Sequence, residues 1–318
     1  MEVLLSLSTT ESRLGYEILQ KDLILFAVRK KLFVVIVGIT VACLRMRSIK
    51  GRFDTLAVPC NRCIMCRIAK TNEWTLRLEL ELEYWKEASF VTLTYDPEYL
   101  PEDISLKPKH LQDFMKLFRY YLGKKISFFA CGEYGDEGLR PHYHLIIFGW
   151  KPELSELQRH GKYFSSDFIR KIWKYGFNTV GICNHDTIQY TVGYVRKKLY
   201  GGMAQEKYGF RVRPFMRCSK GLGLSGAKDR LQKINDEYTI VLKGVNRGLP
   251  KYFVDKLGID KEKLKLRHNE KVAEVMIDKD VDMLGATNLL KESYIQKAKN
   301  HETLYNLRQV SRRGRSNI

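Results

Sequence analysis

The chain is short of several things, and each shortage excludes a class of protein. It has no apolar run of the 18 or more residues that a membrane span needs. The longest, LFVVIVGITVACL at 32–44, covers about 13 positions. It follows Arg29, Lys30 and Lys31 in the manner of a secretion signal, but it begins late and lacks an A-x-A cleavage site, so one or two buried strands are expected and no membrane partner. No GxxxxGK[ST] sequence occurs, which excludes a fused nucleotide-driven helicase of the P-loop kind. Internal repeats and low-complexity tracts are also missing. Acidic residues are scarce, 36 against 55 Lys and Arg, and the resulting net charge of +19 is the electrostatic footprint of a polyanion binder. The seven cysteines are odd in number and irregularly spaced, which argues against a disulfide framework.

What is there concentrates in a few segments. In RPHYHLIIFG, residues 140–149, the period of two of a strand puts His142 and His144 on one face with Ile146 and Phe148, while Tyr143, Leu145 and Ile147 point the other way. The two imidazoles are then about 7 Å apart at Cα and within reach of one ion. Glu133 precedes His142 across the short polar stretch GDEGLR, which suits a hairpin and would set the carboxylate on the adjacent antiparallel strand, facing the histidines. Two imidazoles and a carboxylate suit Mg2+ or Mn2+, with histidine tilting the choice toward Mn2+. A tyrosine-rich strand with two incidental histidines is the plainer alternative.

In HDTIQYTVGYVRKKLYGG, residues 185–202, Asp186 or Thr187 is expected to cap a helix that stops at Gly201 and Gly202. Tyr190, Tyr194 and Lys197 fall on one face of it, and Gly193 allows close backbone approach beside Tyr194. An aromatic stripe of this kind serves a core as readily as a reaction. NEWTLRLELELEYWKEASF reads as an amphipathic helix with Trp74, Leu78, Leu82 and Trp85 recurring, and residues 107–125 as another that buries Leu111, Phe114, Met115, Phe118 and Tyr121 or Leu122. Strands alternating with helices, and hairpin-like pairs around the histidines, favour an α+β fold: a central antiparallel sheet with flanking helices. Cys60, Cys63 and Cys66 form CxxCxxC, which could bind structural Zn2+ or an iron–sulfur cluster with a fourth ligand such as Cys43 or a histidine. RVRPFMRCSKGLGLSG, residues 211–226, joins basic side chains to a glycine-rich turn able to bring backbone N–H groups against phosphates, although such a loop is equally compatible with no phosphate partner.

FVTLTYD (90–96), RPHYHLIIFG and YTVGYVRKK (190–198), in that order, resemble the three motifs of HUH endonucleases of the rolling-circle replication initiator class. PCNRCIMCRIAKTNEW (59–74), FACGEYGDEGLRPHYH and the YxxxYxxK helix are similar, more closely, to the replication initiators of small single-stranded DNA phages, the gokushovirus-like microviruses, over roughly residues 57–225. The resemblance implies a Rep-like, ferredoxin-like sheet. It implies metal ligation by His142, His144 and Glu133, nucleophilic Tyr190 and Tyr194 that form 5′-phosphotyrosine links, and Lys197 to activate a phenol or hold the phosphate. It also implies DNA contact by Arg140, Arg196, Lys198, Arg211, Arg213, Arg217 and Lys220. The implied reaction nicks a single-stranded or supercoiled viral origin and later religates the displaced circle. A host helicase, DNA polymerase and single-strand-binding protein would be partners, in the host bacterial cytoplasm.

The implied organisation is an N-terminal extension (1–56) of apolar strands or a helix, an endonuclease domain with its cysteine cluster (57–225), and a helical C-terminal region with a basic tail (226–318). The extension departs from the phage pattern, whose members begin nearer the cysteines. Two readings from other classes compete. A noncatalytic zinc-containing single-strand-binding protein leaves the histidines and tyrosines without a purpose. A water-using metal phosphoesterase leaves the paired tyrosines unexplained.

Overall fold

The computed structural model describes Cys43, residues 45–50, 55–135, 138–197 and 201–282, and isolated positions up to 296. In chain order the elements are β1 (Arg47–Lys50), β2 (Thr55–Val58), α1 (Ile64–Trp85), β3 (Ala88–Tyr95), α2 (Pro108–Leu122), β4 (Ser127–Tyr134), β5 (Pro141–Phe148), β6 (Leu157–His160), β7 (Tyr163–Ser166) and α3 (Asp167–Ile172). There follow β8 (Gly176–Ile182), α4 (His185–Lys197), α5 (Gly201–Tyr208), β9 (Phe215–Cys218), α6 (Leu224–Lys228), α7 (Leu231–Glu237), β10 (Thr239–Leu242), β11 (Val245–Gly248), α8 (Lys251–Leu257) and α9 (Lys261–Lys279). The fold is α+β, as expected. Seven strands make one antiparallel sheet in the order β6-β7-β8-β3-β5-β4-β9, with helices on both faces.

Alternation along the central strands decides which helices go where. Val91, Leu93 and Tyr95 of β3 and Tyr143, Leu145 and Ile147 of β5 turn to one face and pack against α2 through Leu111, Phe114, Met115 and Phe118. Tyr121 is 61% exposed, so of the two residues left open at the end of that stripe Leu122 is the one packed inward. On the opposite face Phe129, Ile146 and Phe148 meet Trp74 and Leu78 of α1 and Ile188 and Val192 of α4.

The segment LRLELELE in α1 alternates like a strand yet is helical. Leu78 serves the sheet, whereas Leu76 and Leu80 serve a separate cluster formed with Ala227, Ile234, Leu249, Phe253 and other residues of the C-terminal region. Arg77, Glu79 and Glu81 between them are buried too, and each is satisfied. Arg77 lies over the rings of Trp74 and Tyr252 and donates to the Leu222 carbonyl. Glu79 meets His185 and Arg247, and Glu81 accepts from Trp85 Nε1 and the Gly223 N–H.

These contacts correct the phosphate-binding reading of the glycine-rich turn. The Gly223 N–H is engaged by Glu81 at 2.7 Å, and the glycines exist for close packing on α1. A Cβ on Gly226 would stand 2.4 Å from the Leu80 carbonyl oxygen. The extent of α4 is corrected as well. Asn184 is its cap: its side chain accepts from the Thr187 N–H, and the Thr187 hydroxyl accepts from the Asn184 N–H. Gly201 and Gly202 open α5 rather than end α4. No helix among the described residues is long and apolar enough to cross a membrane. The apolar run 32–42, most of the helix expected over 281–305 and the basic tail lie outside the described residues.

Gly226→Ala is expected to cost about 2–3 kcal/mol in chemical denaturation, because the added methyl meets backbone that cannot yield. Gly248→Ala, with nothing within 4 Å, is the control and should move stability by less than about 1 kcal/mol.

Candidate functional site

The face of the sheet under α4 is a three-by-three grid. Across β4, β5 and β3 the registers align Phe129 with Ile146 and Phe90, Cys131 with His144 and Thr92, and Glu133 with His142 and Thr94. The grid runs from apolar to polar toward one end of the sheet. Glu133 stands on the strand adjacent to the histidines, as the hairpin spacing suggested.

The ring orientations are fixed from behind. Thr92 Oγ1 lies 3.1 Å from His144 Nδ1, and Thr94 Oγ1 lies 3.1 Å from His142 Nδ1. Engaging both Nδ1 atoms leaves the Nε2 atoms to face the site, the arrangement by which outer hydroxyls orient ligand histidines. Sequence reasoning passed over both threonines. Their signal was present: TLT in β3 has the same period of two as HYH in β5.

Glu133 Oε1 lies 2.9 Å from His144 Nε2, and the two imidazole centroids are 6.4 Å apart. His142 stays half-buried and His144 is buried. An ion entering here would exchange the His144–Glu133 hydrogen bond for two ligand bonds. Burial holds the His142 pKa below the ordinary value, the nearby His144 and Arg140 add to this, and the Glu133 charge opposes it. His142 therefore stays neutral, the form that ligates, to lower pH than a free imidazole.

α4 brings its tyrosines onto the same imidazole. The Tyr194 ring stacks on His144 with centroids 4.8 Å apart and planes at 6°, and Tyr190 meets His144 edge-on at 5.4 Å. Tyr190 and Tyr194 are 5.1 Å apart, and Phe90 packs against both His144 and Tyr190. Tyr194 is buried whereas Tyr190 is half-exposed. Burial, then the Glu133 charge, then Tyr190 raise the Tyr194 hydroxyl far above the ordinary phenol range. Without a cation this phenol stays protonated.

The basic candidates divide. Arg140 donates to the Tyr95 carbonyl and so clamps the start of β5 to the end of β3. Arg211 is half-buried, while Arg213, Arg217 and Lys220 are exposed. Arg196 and Lys197 belong to α4, but their side chains lie outside the described residues, as does Lys198 altogether.

A second centre lies at the start of α1. The ligand atoms of Cys43, Cys60, Cys63 and Cys66 all fall within 4.8 Å of one another, so these four could hold a metal ion. The β1–β2 ribbon, paired from Arg47 with Val58 to Lys50 with Thr55, returns the chain so that Cys43 meets Cys60. That ribbon supplies the fourth ligand which the CxxCxxC run lacked. The Cys60–Cys66 and Cys63–Cys43 Sγ pairs are each 3.9 Å apart. A tetrahedron with Zn–S near 2.3 Å has edges of about 3.8 Å. Backbone N–H groups of Arg62 and Cys63 point at Cys60 Sγ, and that of Cys60 at Cys43 Sγ. Burial acts to raise the Cys60 thiol, but these donors outweigh it and bring the pKa to about 6, toward the thiolate a metal requires.

Residues 88–199 match the family model for "Replication-associated protein ORF2" and its gene 2 protein counterparts. That segment opens with β3 and runs past α4, so it contains both threonines, Glu133, both histidines and both tyrosines. Three curated proteins are similar over a longer stretch. "Replication-associated protein ORF4" of Chlamydia phage 1 is 34% identical over 214 residues, 63% of this chain and 53% of that protein. "Replication-associated protein ORF2" of Spiroplasma virus 4 is 32% identical, covering 62% and 66%. "Replication-associated protein VP4" of Bdellovibrio phage phiMH2K is 28% identical, covering 66% and 70%. The chain thus spans about half to two-thirds of the curated relatives it matches. No solved structure matches it.

Below the unfolded histidine value of about 6.5 the unfolded chain takes a proton that folded His142 resists, so acidification through that window should cost stability. In an NMR titration without metal, His142 should titrate below 6.5, and Glu133→Gln should lower its midpoint further by removing the opposing charge. A midpoint raised by Glu133→Gln would contradict the assignment of causes.

Proposed function

Taking as premise that this chain is a homologue of phage replication-associated proteins, we propose that it is a metal-dependent, site-specific DNA endonuclease and strand transferase that starts rolling-circle replication of a phage genome. The observation that carries this reading is the contact of both tyrosine rings with His144, the imidazole that also meets Glu133. A stripe serving only a core would not gather two phenols on a hydrogen-bonded His–Glu pair at the polar end of a sheet face. The net charge of +19 fits a DNA substrate.

In this reading His142, His144 and Glu133 hold Mg2+ or Mn2+, a donor set suited to either. When bound, the ion supplies Lewis-acid polarisation of the scissile phosphate and a positive field beside the phenols. One tyrosine Oη attacks phosphorus, the P–O3′ bond breaks, and the protein keeps a 5′-phosphotyrosine while a 3′-hydroxyl is released. The phenolic proton passes to the acceptors within reach, Glu133 or the His144 ring. Lys197, less than one turn beyond Tyr194, holds the phosphate. After a host polymerase has copied the circle, the second tyrosine cleaves the regenerated origin. The new 3′-hydroxyl attacks the first phosphotyrosine, restores that phenol and closes the circle. Each exchange trades one phosphodiester for another, so no nucleotide cofactor is consumed. A host helicase and single-strand-binding protein complete the machinery in the host cytoplasm. The four cysteines hold a structural Zn2+.

With Mn2+ and end-labelled single-stranded DNA carrying its genome's origin, the protein should yield a covalent adduct on a denaturing gel. Tyr190→Phe with Tyr194→Phe should abolish it, and His142→Ala should slow it on the order of 1,000-fold, equivalent to several kcal/mol of lost metal assistance. Cleavage without adduct would instead establish the water-using phosphoesterase. Elemental analysis of protein purified without chelator should find about one zinc per chain, and Cys63→Ala should reduce it well below one. A full zinc complement in that variant would remove the four-cysteine assignment.

A further inference from the structure

On the sheet face opposite the histidines, the outer side of α2 and the edge strand β9 enclose a cleft of about 420 Å³. Lys109, Lys116, Arg119 and Arg217 line it together with Gln112 and Phe128, and no carboxylate does. Lys109 is engaged by Asp113 within the helix, but among the described residues no ion pair is found for Lys116, Arg119 or Arg217. Two of these cations are held in place by rings. The Arg119 guanidinium lies 5.1 Å from the Phe128 ring centre and that of Arg217 lies 5.3 Å from Phe215. Tyr120, one helical turn from Lys116, is 78% exposed, and Tyr121 beside it is 61% exposed. Lys124 and Lys125 continue the positive surface beyond the helix end.

We propose that this cleft is a second DNA site that holds single-stranded DNA away from the reaction centre, with phosphates on Lys116, Arg119 and Arg217 and a base stacked on Tyr120. Single-stranded DNA is favoured because the outward tyrosine faces have a use only where bases are unpaired, and the cleft is too small to admit a duplex. The inference rests on the reading that the chain's partner is DNA. It deepens that reading by giving the strand a path across the far face of the sheet. A strand tethered at its 5′ end to a tyrosine could be held there while the circle is copied.

The test uses the full chain with no added divalent metal. Fluorescence anisotropy would measure its affinity for a long oligo(dT) strand, a strand too short to reach both faces, and a duplex as long as the first, each over a series of NaCl concentrations. Lys116→Gln/Arg119→Gln should weaken the long strand roughly 10-fold or more at low salt and reduce the log–log salt slope by about 1.4, near 0.7 for each phosphate no longer neutralised on a single strand. Because Arg119 also packs on Phe128, Lys116→Gln/Tyr120→Ala, confined to exposed side chains, is measured beside it and should give a smaller loss in the same direction. An unchanged slope and affinity for the long strand in both variants would overturn the proposal, and so would a loss confined to the duplex. Adduct formation at the origin reports separately. An adduct with an unaltered salt slope removes the cleft alone, whereas an altered slope without adduct leaves the cleft and removes the nuclease.

Discussion

The imidazole of His144 is the pivot on which this face of the molecule depends. It is a buried polar ring between a sheet and a helix, where an unsatisfied donor or acceptor would cost about 1–3 kcal/mol. Both ring nitrogens are engaged, Nδ1 by Thr92 and Nε2 by Glu133, and both ring faces are covered, one by Phe90 and the other by Tyr194. The partners come from three different elements: β3, β4 and α4. Satisfying this one ring therefore sets the β4–β5–β3 register and the rotation of α4 at once, and a slip by one residue in any strand would turn its whole set of partners to the other face.

The sheet face was legible in the sequence because strand alternation is local. HYH and TLT each reveal their own inward positions, and a short hairpin fixes Glu133 opposite the histidines. The helix face was legible for Tyr190 and Tyr194 by the same logic with a different period. What escaped were features whose cause lies far along the chain. Leu76 and Leu80 are buried by residues 227–264, and the charges at 77, 79 and 81 find partners near 185, 222, 247 and 252. Nothing within one window of sequence shows those partners. The glycine-rich turn is a related case. Its composition fits phosphate binding or tight packing equally well, and only the carbonyl of Leu80 beside Gly226 decides between them. Cys43 was legible only as one option among several, since the ribbon that returns it to Cys60 carries no strong turn signal.

The two candidate metal centres have opposite electrostatic demands, and the fold meets each with a different device. Cys60 must favour its anion, and backbone N–H donors supply that without adding any side-chain charge. Tyr194 is instead kept strongly protonated by burial and by Glu133. A phenol so protected is inert toward phosphate until positive charge arrives. Substrate and cation thus become conditions for reactivity, which restrains a protein carrying two nucleophiles in one site from damaging itself or other polyanions.

Charge is distributed to the same effect. The cations near the tyrosines whose contacts are described are largely committed: Arg140 to a carbonyl, and Arg77 between two rings and the Leu222 carbonyl. The cations without ion pairs in the α2–β9 cleft stand across the sheet. Affinity for DNA can therefore reside away from the bond being broken, and binding strength need not stabilise the nicked ground state at the reaction centre. An enzyme that must cut, hold and rejoin one strand gains from that separation, because energy spent on gripping the ground state at the scissile phosphate would be subtracted from every subsequent transfer.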